Sequence, residues 1–577
     1  MANFETLYNP LVLAGLTDKK PNVSLSFESG YKYLKAVGIQ PKDLSDPYLI
    51  TTPISLNAGE EILFVYKGAI SPNIYAVSKV TINGTEKEYK GLVRTDQGVF
   101  VANQECYISY AAPEAMLVSL CYFKGSGDNT LSMVAYVTQN RLALFSGQLG
   151  EGIVYDKPDS EADISTLFDR VGVTYVIRYA HTSTSPVSIP EGCTLDFRGG
   201  NLRGIQSLTF NGTLLKGAVD LRTSLITENS TIRNLTFNAD WVCPENKDSV
   251  DCTPYVQCII DAFPHVIFPE GDFLFSQSKN NNAVPDSERF LLKLSKNNRR
   301  IEGEPGAVLR TGQQAGLLYV GNTIKVVTNI RIQGITFYCE NSASEVRDVE
   351  HLHTIGLYGV KDVTICGCRF KGYYGDAVFL TFANSAITNV HVRIVDNHID
   401  GMGQHNRNGI SIDDGTDILI CNNLFENTST YNDSVAAIDF EPPSIYYHVD
   451  GVTIISNHFC TCGKKGAISL VSEHYGNNFM PISNVRILNN EISNCSGGIF
   501  IKNTGSISNN SYHITGNYII RGNIAVGTSS PFSLENSPKE SCKWIITENI
   551  FGMNDNSILT EINSHITVTG LIVSNNI

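Results

Sequence analysis

The chain has 577 residues, more than one ordinary hydrophobic core serves, so several domains or a fold that grows along one axis is expected. Only 17% of residues are charged and the net charge is −14, which argues against a phosphate-backbone partner and so against nucleic acid. No run of 18 apolar residues exists, so no membrane span is expected, and the start Met-Ala-Asn-Phe-Glu lacks the basic region and apolar run of a secretory leader.

Residues 1–128 carry short alternating strands such as Glu61–Tyr66 and Tyr107–Tyr110, with Asn83-Gly84 between strand-like runs as a hairpin signal. A compact β-sandwich is expected there. Residues 129–164, one apolar run followed by a Gly- and Asp-rich stretch, read as a neck or linker. From about 165 the pattern becomes that of a solenoid. Around 241–275 the segment Val256–Asp261 has helical spacing and precedes Val266-Ile-Phe-Pro-Glu-Gly-Asp-Phe273, which suits a capping helix ahead of the first regular coil.

The repeat itself follows. Nine isoleucines (332, 365, 394, 420, 454, 487, 514, 546 and 572) recur at 26 to 34 residues, a fixed core with drifting length. Three positions on stands a second column: Ile335, Cys368, Asn397, Asn423, Asn457, Asn490, Asn517, Asn549 and Asn575. Two further comes Phe337, Phe370, Ile399, Phe425, Phe459, Ile492, Ile519, Phe551 and Ile577. Most isoleucines also have an apolar residue two positions earlier, Val363, Tyr512 and Trp544 among them, which is period-two alternation. The Asn marks a bend, since it tolerates the left-handed conformation, and stacked Asn amides can bond from coil to coil. A third strand reads Ile-Gly-Leu-Tyr to Tyr358, Val-Phe-Leu-Thr to Thr381, Ile-Ser-Ile-Asp to Asp413 and Ile-Asp-Phe-Glu to Glu441. Three strands per coil make an all-β, right-handed parallel β-helix. The cysteines, Cys366 and Cys421 on inward positions included, are expected to stay thiols in a cytosol. The spacings Cys366-Gly-Cys368 and Cys460-Thr-Cys462 are too short for zinc, so no metal site is expected.

Two outward columns flank the third strand. The first is Gly356, Phe379, Ser411, Asp439, Ser469 and Phe500, and the second is Tyr358, Thr381, Asp413, Glu441, Val471 and Lys502. Asp439 and Glu441 then lie about 7 Å apart along one strand, with Asp413 about 4.8 Å from Glu441 across the ladder. Like charges this close raise a pKa, which is what a general acid beside a general base requires. Asp413, Asp439 and Glu441 are the candidate catalytic residues. Tyr358, Phe379, Tyr373, Tyr374, His405, Arg407, Tyr431 and Phe500 are candidate sugar-binding residues. Asp376 precedes its strand and is a weaker candidate, Asp414 reads as a turn former, and outward acids on a sheet are also ordinary solvated groups. No Arg or Lys stands on the outward columns beside the acids.

The stretches Asp251–Asp261, Phe268–Phe273 and Ile301–Leu309 resemble the pectate-lyase-like superfamily of right-handed parallel β-helices. Ile189-Pro-Glu-Gly-Cys-Thr-Leu-Asp-Phe-Arg-Gly-Gly200 is similar to segments of tailspike-like proteins from phages of gut Bacteroidetes. The likeness covers roughly 165–577. It implies a sugar groove on the third strand and its loops, and a virion tail protein made in the host cytoplasm. Its partners would be a bacterial surface polysaccharide, two further copies in a homotrimer covering the apolar end at Ile577, and other tail proteins through the N-terminal domain. Glycoside hydrolysis is the activity expected. A non-catalytic receptor-binding tail protein and a polysaccharide lyase are the alternatives, with no cofactor except Ca²⁺ in the lyase case.

Overall fold

The computed structural model describes strand backbones within residues 8–138 and, with side chains at most positions, residues 153–159, 163–312, 314–339, 350–402, 406–428, 435–443, 446–463, 465–472, 482–503, 514–535, 542–552, 557–558 and 571–577. The chain forms two compact units, Met1–Asp220 with Ser230–Arg233, and Leu221–Asn229 with Asn234–Ile577.

In the first unit, twelve strands form two six-stranded antiparallel sheets, the strand content expected of a sandwich. Glu61–Gly68 pairs with Cys106–Ala111, and Ile82 faces Thr85 across the two-residue connection that Asn83-Gly84 signals. Asn129–Thr138, read from sequence as part of a neck, is instead a strand of the first sheet, pairing with Glu61–Gly68 and Leu34–Gly38. Its length and alternation are those of a sheet strand, which a linker does not need. Parallel coils then begin: Ile153–Tyr155, Thr174–Ile177, Thr194–Phe197 and Leu214–Gly217 form a four-stranded parallel sheet.

The second unit holds three parallel sheets of twelve, nine and nine strands, three strands to a coil. The helix Thr253–Ala262 packs beside the strands His265–Phe268 and Phe290–Leu294. In register, Ile332, Ile365, Ile394, Ile420, Ile454 and Ile487 stack on neighbouring strands of the twelve-stranded sheet, all buried.

The Asn column is a continuous ladder. Each amide oxygen accepts the backbone N–H of the matching residue one coil earlier, from Cys368 on Asn397 through Asn397, Asn423, Asn457, Asn490, Asn523 and Asn549 to Asn576. Each amide nitrogen donates to a carbonyl of the coil before, as Asn457 does to Ile420 at 3.0 Å. The ladder residues are not themselves left-handed. The residue before each one is: Asp396, Asn422, Ser456, Asn489, Glu548 and Asn575 all have φ between 51° and 59°.

Two repeats are shifted from their sequence reading. A bulge opposite Ser483 and Val485 puts one extra residue into Ile514–Arg521, and Ile520, Asn523 and Ala525, each six residues on, take the positions expected of Ile514, Asn517 and Ile519. Tyr518, rather than Tyr512, fills the preceding inward slot and stacks on Trp544 at 4.7 Å. In the last repeat Val573 and Asn576 replace Ile572 and Asn575. Cys366 and Cys421 are half-buried rather than inward, because they follow the inward isoleucines by one; Cys368, Cys462 and Cys495 are among the buried ones. No cysteine with a described side chain forms a disulfide.

Candidate functional site

The third sheet carries both predicted outward columns in register. Gly356, Phe379, Ser411, Asp439, Ser469 and Phe500 pair in sequence. Asp413 and Glu441 continue the column of Tyr358 and Thr381, their N–H groups donating to Leu380 and Ile412. The three acids are therefore brought together on two adjacent coils.

The wall differs from the open surface expected. Ser411, Asp439 and Ser469 are fully buried or nearly so, and Asp413 is buried. Neither Asp439 oxygen meets a hydrogen-bond donor at bonding distance. Lys465 Nζ stands 3.9 Å from Asp439 Oδ2. Glu441 keeps a side chain 28% exposed, with Arg407 3.5 Å away. Arg407 also holds Glu350 at 2.9 Å.

Sequence alternation misplaced a third column. Before each strand two successive N–H groups bond to the next coil, as Thr354 does to Asp376 and Ile355 to Ala377. That bulge changes the parity, so His353 comes to lie on the outer side and stacks on Phe379 with ring centroids 4.1 Å apart. Asp376 N–H donates to His353 Nδ1, Asn408 N–H to Asp376 Oδ1, and Ala436 N–H to Asn408 Oδ1. Asp376, the weaker candidate from sequence, is thus a fully buried member of the same wall, its Oδ2 3.1 Å from His353 Nδ1.

Electrostatics divide these acids. Burial drives Asp413 well above the usual carboxylate range, and the neighbouring Asp376 adds to it. Burial and then the Asp439 charge push Glu441 up to about 10. Asp439 is also raised by burial, but Lys465 opposes the rise. Burial alone would raise Asp376 too; Arg407 and His353 outweigh it and hold it below the usual value. Both carboxyls of the Asp439–Glu441 pair are thus pushed up, each partner acting on the other, with Lys465 opposing the rise at Asp439.

The other predicted residues divide by burial. Phe379 and Phe500 are partly exposed, and Lys465 lies over the Phe500 ring at 5.9 Å. Tyr358, Tyr373 and Tyr374 are buried and present no face to a ligand. Tyr358 stacks on Tyr319 at 4.7 Å within a cluster containing Phe290, and Tyr374 packs with Cys339 and Leu352. Aromatic character at an outward position does not reveal that a neighbouring segment covers it. His405 and Tyr431 lie outside the described residues. Asp414 is the turn residue expected, accepting from the N–H groups of Asn389 and His448.

Two contributors were missed. Lys465 precedes its strand, as Arg407 does, and both cations reach the acids from the turns rather than from the columns. Tyr447 packs on Phe382 with ring centroids 4.0 Å apart and planes tilted by 34°, and its hydroxyl pKa is raised first by burial and then by the Asp413 charge. Only the bulge parity, had it been read from the small residues Ala377, Gly409, Ala437 and Ala467, could have signalled these placements. Among the described residues one group has metal-ligand spacing: His398, Asp400 and Glu426 on the second sheet. His398 and Glu426 already pair at 2.6 Å, and their strands belong to a different sheet from those of the acids.

The chain matches no protein-family model, and no curated protein matches it. Its fold is similar to that of several solved chains. A tailspike protein of E. coli bacteriophage HK620, solved with a pentasaccharide, has a TM-score of 0.39 at 12% identity over 57% of this chain and 58% of that one. A Geobacillus virus E2 chain has a TM-score of 0.35 at 12% identity over 59% of each chain. An exopolygalacturonase from Thermotoga maritima has 0.36 at 12% identity, over 56% of this chain and 80% of that one. The match thus spans under three fifths of either phage chain; the three stacked parallel sheets of this chain's second unit make it a parallel β-helix protein.

Proposed function

We propose that this chain is a phage tail protein of the tailspike type that binds a bacterial surface polysaccharide and cleaves it by glycoside hydrolysis. The observation that carries the reading is the buried Asp439 carboxylate without a hydrogen-bond donor, beside a partly exposed Glu441 that holds a proton up to about pH 10. A carboxyl pair with separated proton affinities is what acid and base catalysis of glycoside cleavage needs. Glu441 gives its proton to the glycosidic oxygen as the bond to the anomeric carbon breaks. Water supplies the hydroxyl that ends on that carbon, and its proton passes to Asp439, held charged by Lys465. Asp413, kept neutral by burial, orients Glu441 from the adjacent strand. Phe379 and Phe500 offer ring faces on either side.

The test is the amide series D413N, D439N and E441Q. Reducing-end release from a cleaved polysaccharide is expected to fall by at least about 10³-fold in E441Q and D439N, with Tm nearly unchanged. Full activity in all three removes the proposal, and tight glycan binding without product points to a receptor-binding protein.

The lyase alternative gains one observation, since Arg407 and Lys465 do stand beside the acids. Yet a lyase base must be free of its proton, and the surrounding carboxylates outweigh burial to raise the Arg407 pKa. A homotrimer and attachment through the N-terminal sheets belong to the same proposal. The exposed Val526, Ile550 and Ile572 side chains are apolar surface that such an assembly would cover.

A further inference from the structure

Resting on the hydrolase site just described, we infer that the sugar seated at the Asp439–Glu441 pair is uncharged, a neutral or N-acylated residue rather than a uronate or a sulfated one. Charge balance and hydrogen-bonding capacity both lead there.

The described cations at the wall are committed. Arg407 lies between Glu350 and Glu441, and Lys465 faces Asp439. Further along, Arg289 pairs with Asp286 at 3.1 Å. Lys502 stands two strands beyond Glu441, about 10 Å along the stack. Even with Asp413 neutral and one proton on the carboxyl pair, Glu350, Asp376 and that pair set three negative charges against Arg407 and Lys465. A uronate placed there adds a like charge in a site where little water screens it.

Polar capacity gives the same answer independently. Asp439 Oδ1 and Oδ2 are buried acceptors that no donor meets at bonding distance, with the Ser469 hydroxyl and Glu441 beside them. A carboxylate or sulfate ester brings only further acceptors. Sugar hydroxyls and acetamido N–H groups bring donors, which is what these oxygens lack. A neutral sugar at the partly exposed Glu441 carboxyl therefore brings donors and no like charge, whereas an acidic one adds acceptors to a wall already rich in them.

The experiment uses the full chain and uronate-containing capsular polysaccharides of known repeat. Each is tested in native form and after carbodiimide activation and borohydride reduction, which turns the uronate into a neutral hexose, alongside neutral capsular polysaccharides. Binding by calorimetry and fragment release are read with and without EDTA. The expected result is that the bound or cut polymers are neutral, and that any uronate polymer bound binds at least about tenfold better after reduction. Preference for a native uronate form overturns the inference, and so does calcium-dependent binding of it, since a bound cation would reverse the local charge. Binding with neutral preference but no fragments keeps the inference and sinks the hydrolase reading. Cleavage at a uronate with loss on reduction does the opposite. Failure to bind any polymer overturns both.

Discussion

Lys465 Nζ stands 3.9 Å from Asp439 Oδ2, at a carboxylate that is fully buried and has no hydrogen-bond donor. Of the cations nearby, this one opposes the burial of Asp439 most, ahead of Arg407. Removing it as K465M is expected to raise the Asp439 pKa further above the ordinary carboxylate range. The acidic limb of the kcat/KM profile then moves to higher pH, while a purely structural lysine would lower Tm and leave the limb in place.

Glu441 should shape the alkaline side. Its proton is held up to about 10, so activity that needs the acid form is lost as pH rises through that region. Stability follows the same sign. A carboxyl with a raised folded-state value binds more protons folded than unfolded, so the protein loses stability as pH climbs from the ordinary carboxylate range toward 10. E441Q cannot lose that proton. Its Tm between pH 5 and 9 is expected to fall less than that of the wild type.

The Asn ladder gives a stability test away from the acids. Asn457 accepts from Asn423 N–H at 2.9 Å and donates to Ile420 O and Asn490 Oδ1 at 3.0 Å each. N457A leaves buried amides on both neighbouring coils unpaired, at a cost of about 2–4 kcal/mol. Urea unfolding should report that loss, with residual native protein retaining its specific activity.

Gly356 tests how tightly the aromatic end of the wall is packed. A Cβ there would sit 2.6 Å from both Phe290 Cζ and Tyr358 Cε2. G356A is expected to destabilise by about 1–3 kcal/mol, read as a lower Tm, by pushing apart rings that have no open side.

Assembly is checked by light scattering at micromolar concentration. A mass three times that of the chain is expected, and a monodisperse monomer counts against the trimer.

Much of the second unit was legible from letters alone. Ile332 through Ile487 repeat because each coil must bury an apolar residue at the same angular position, and the Asn ladder repeats because its buried amides must find partners. Phe379, Ser411, Asp439 and Ser469 lined up as read because period-two alternation survives inside a strand. It failed where the backbone broke the period. The bulge at Ser483–Val485 accounts for one of the six residues that separate the expected Asn517 from the ladder residue Asn523, and the bulge before each third-sheet strand hid Asp376 and His353 on the wall.

Coil repeat, strand alternation and the meeting of Asp413, Asp439 and Glu441 were set by sequence, because each follows from local periodicity and the need to bury one face. Tertiary structure alone decided that the acid wall is closed over, that Tyr358, Tyr373 and Tyr374 are packed away, and that Arg407 and Lys465 reach the carboxylates. Burial and charge pairing depend on where neighbouring coils send their turns, and the drifting loop lengths between repeats carry no periodicity from which that could be read.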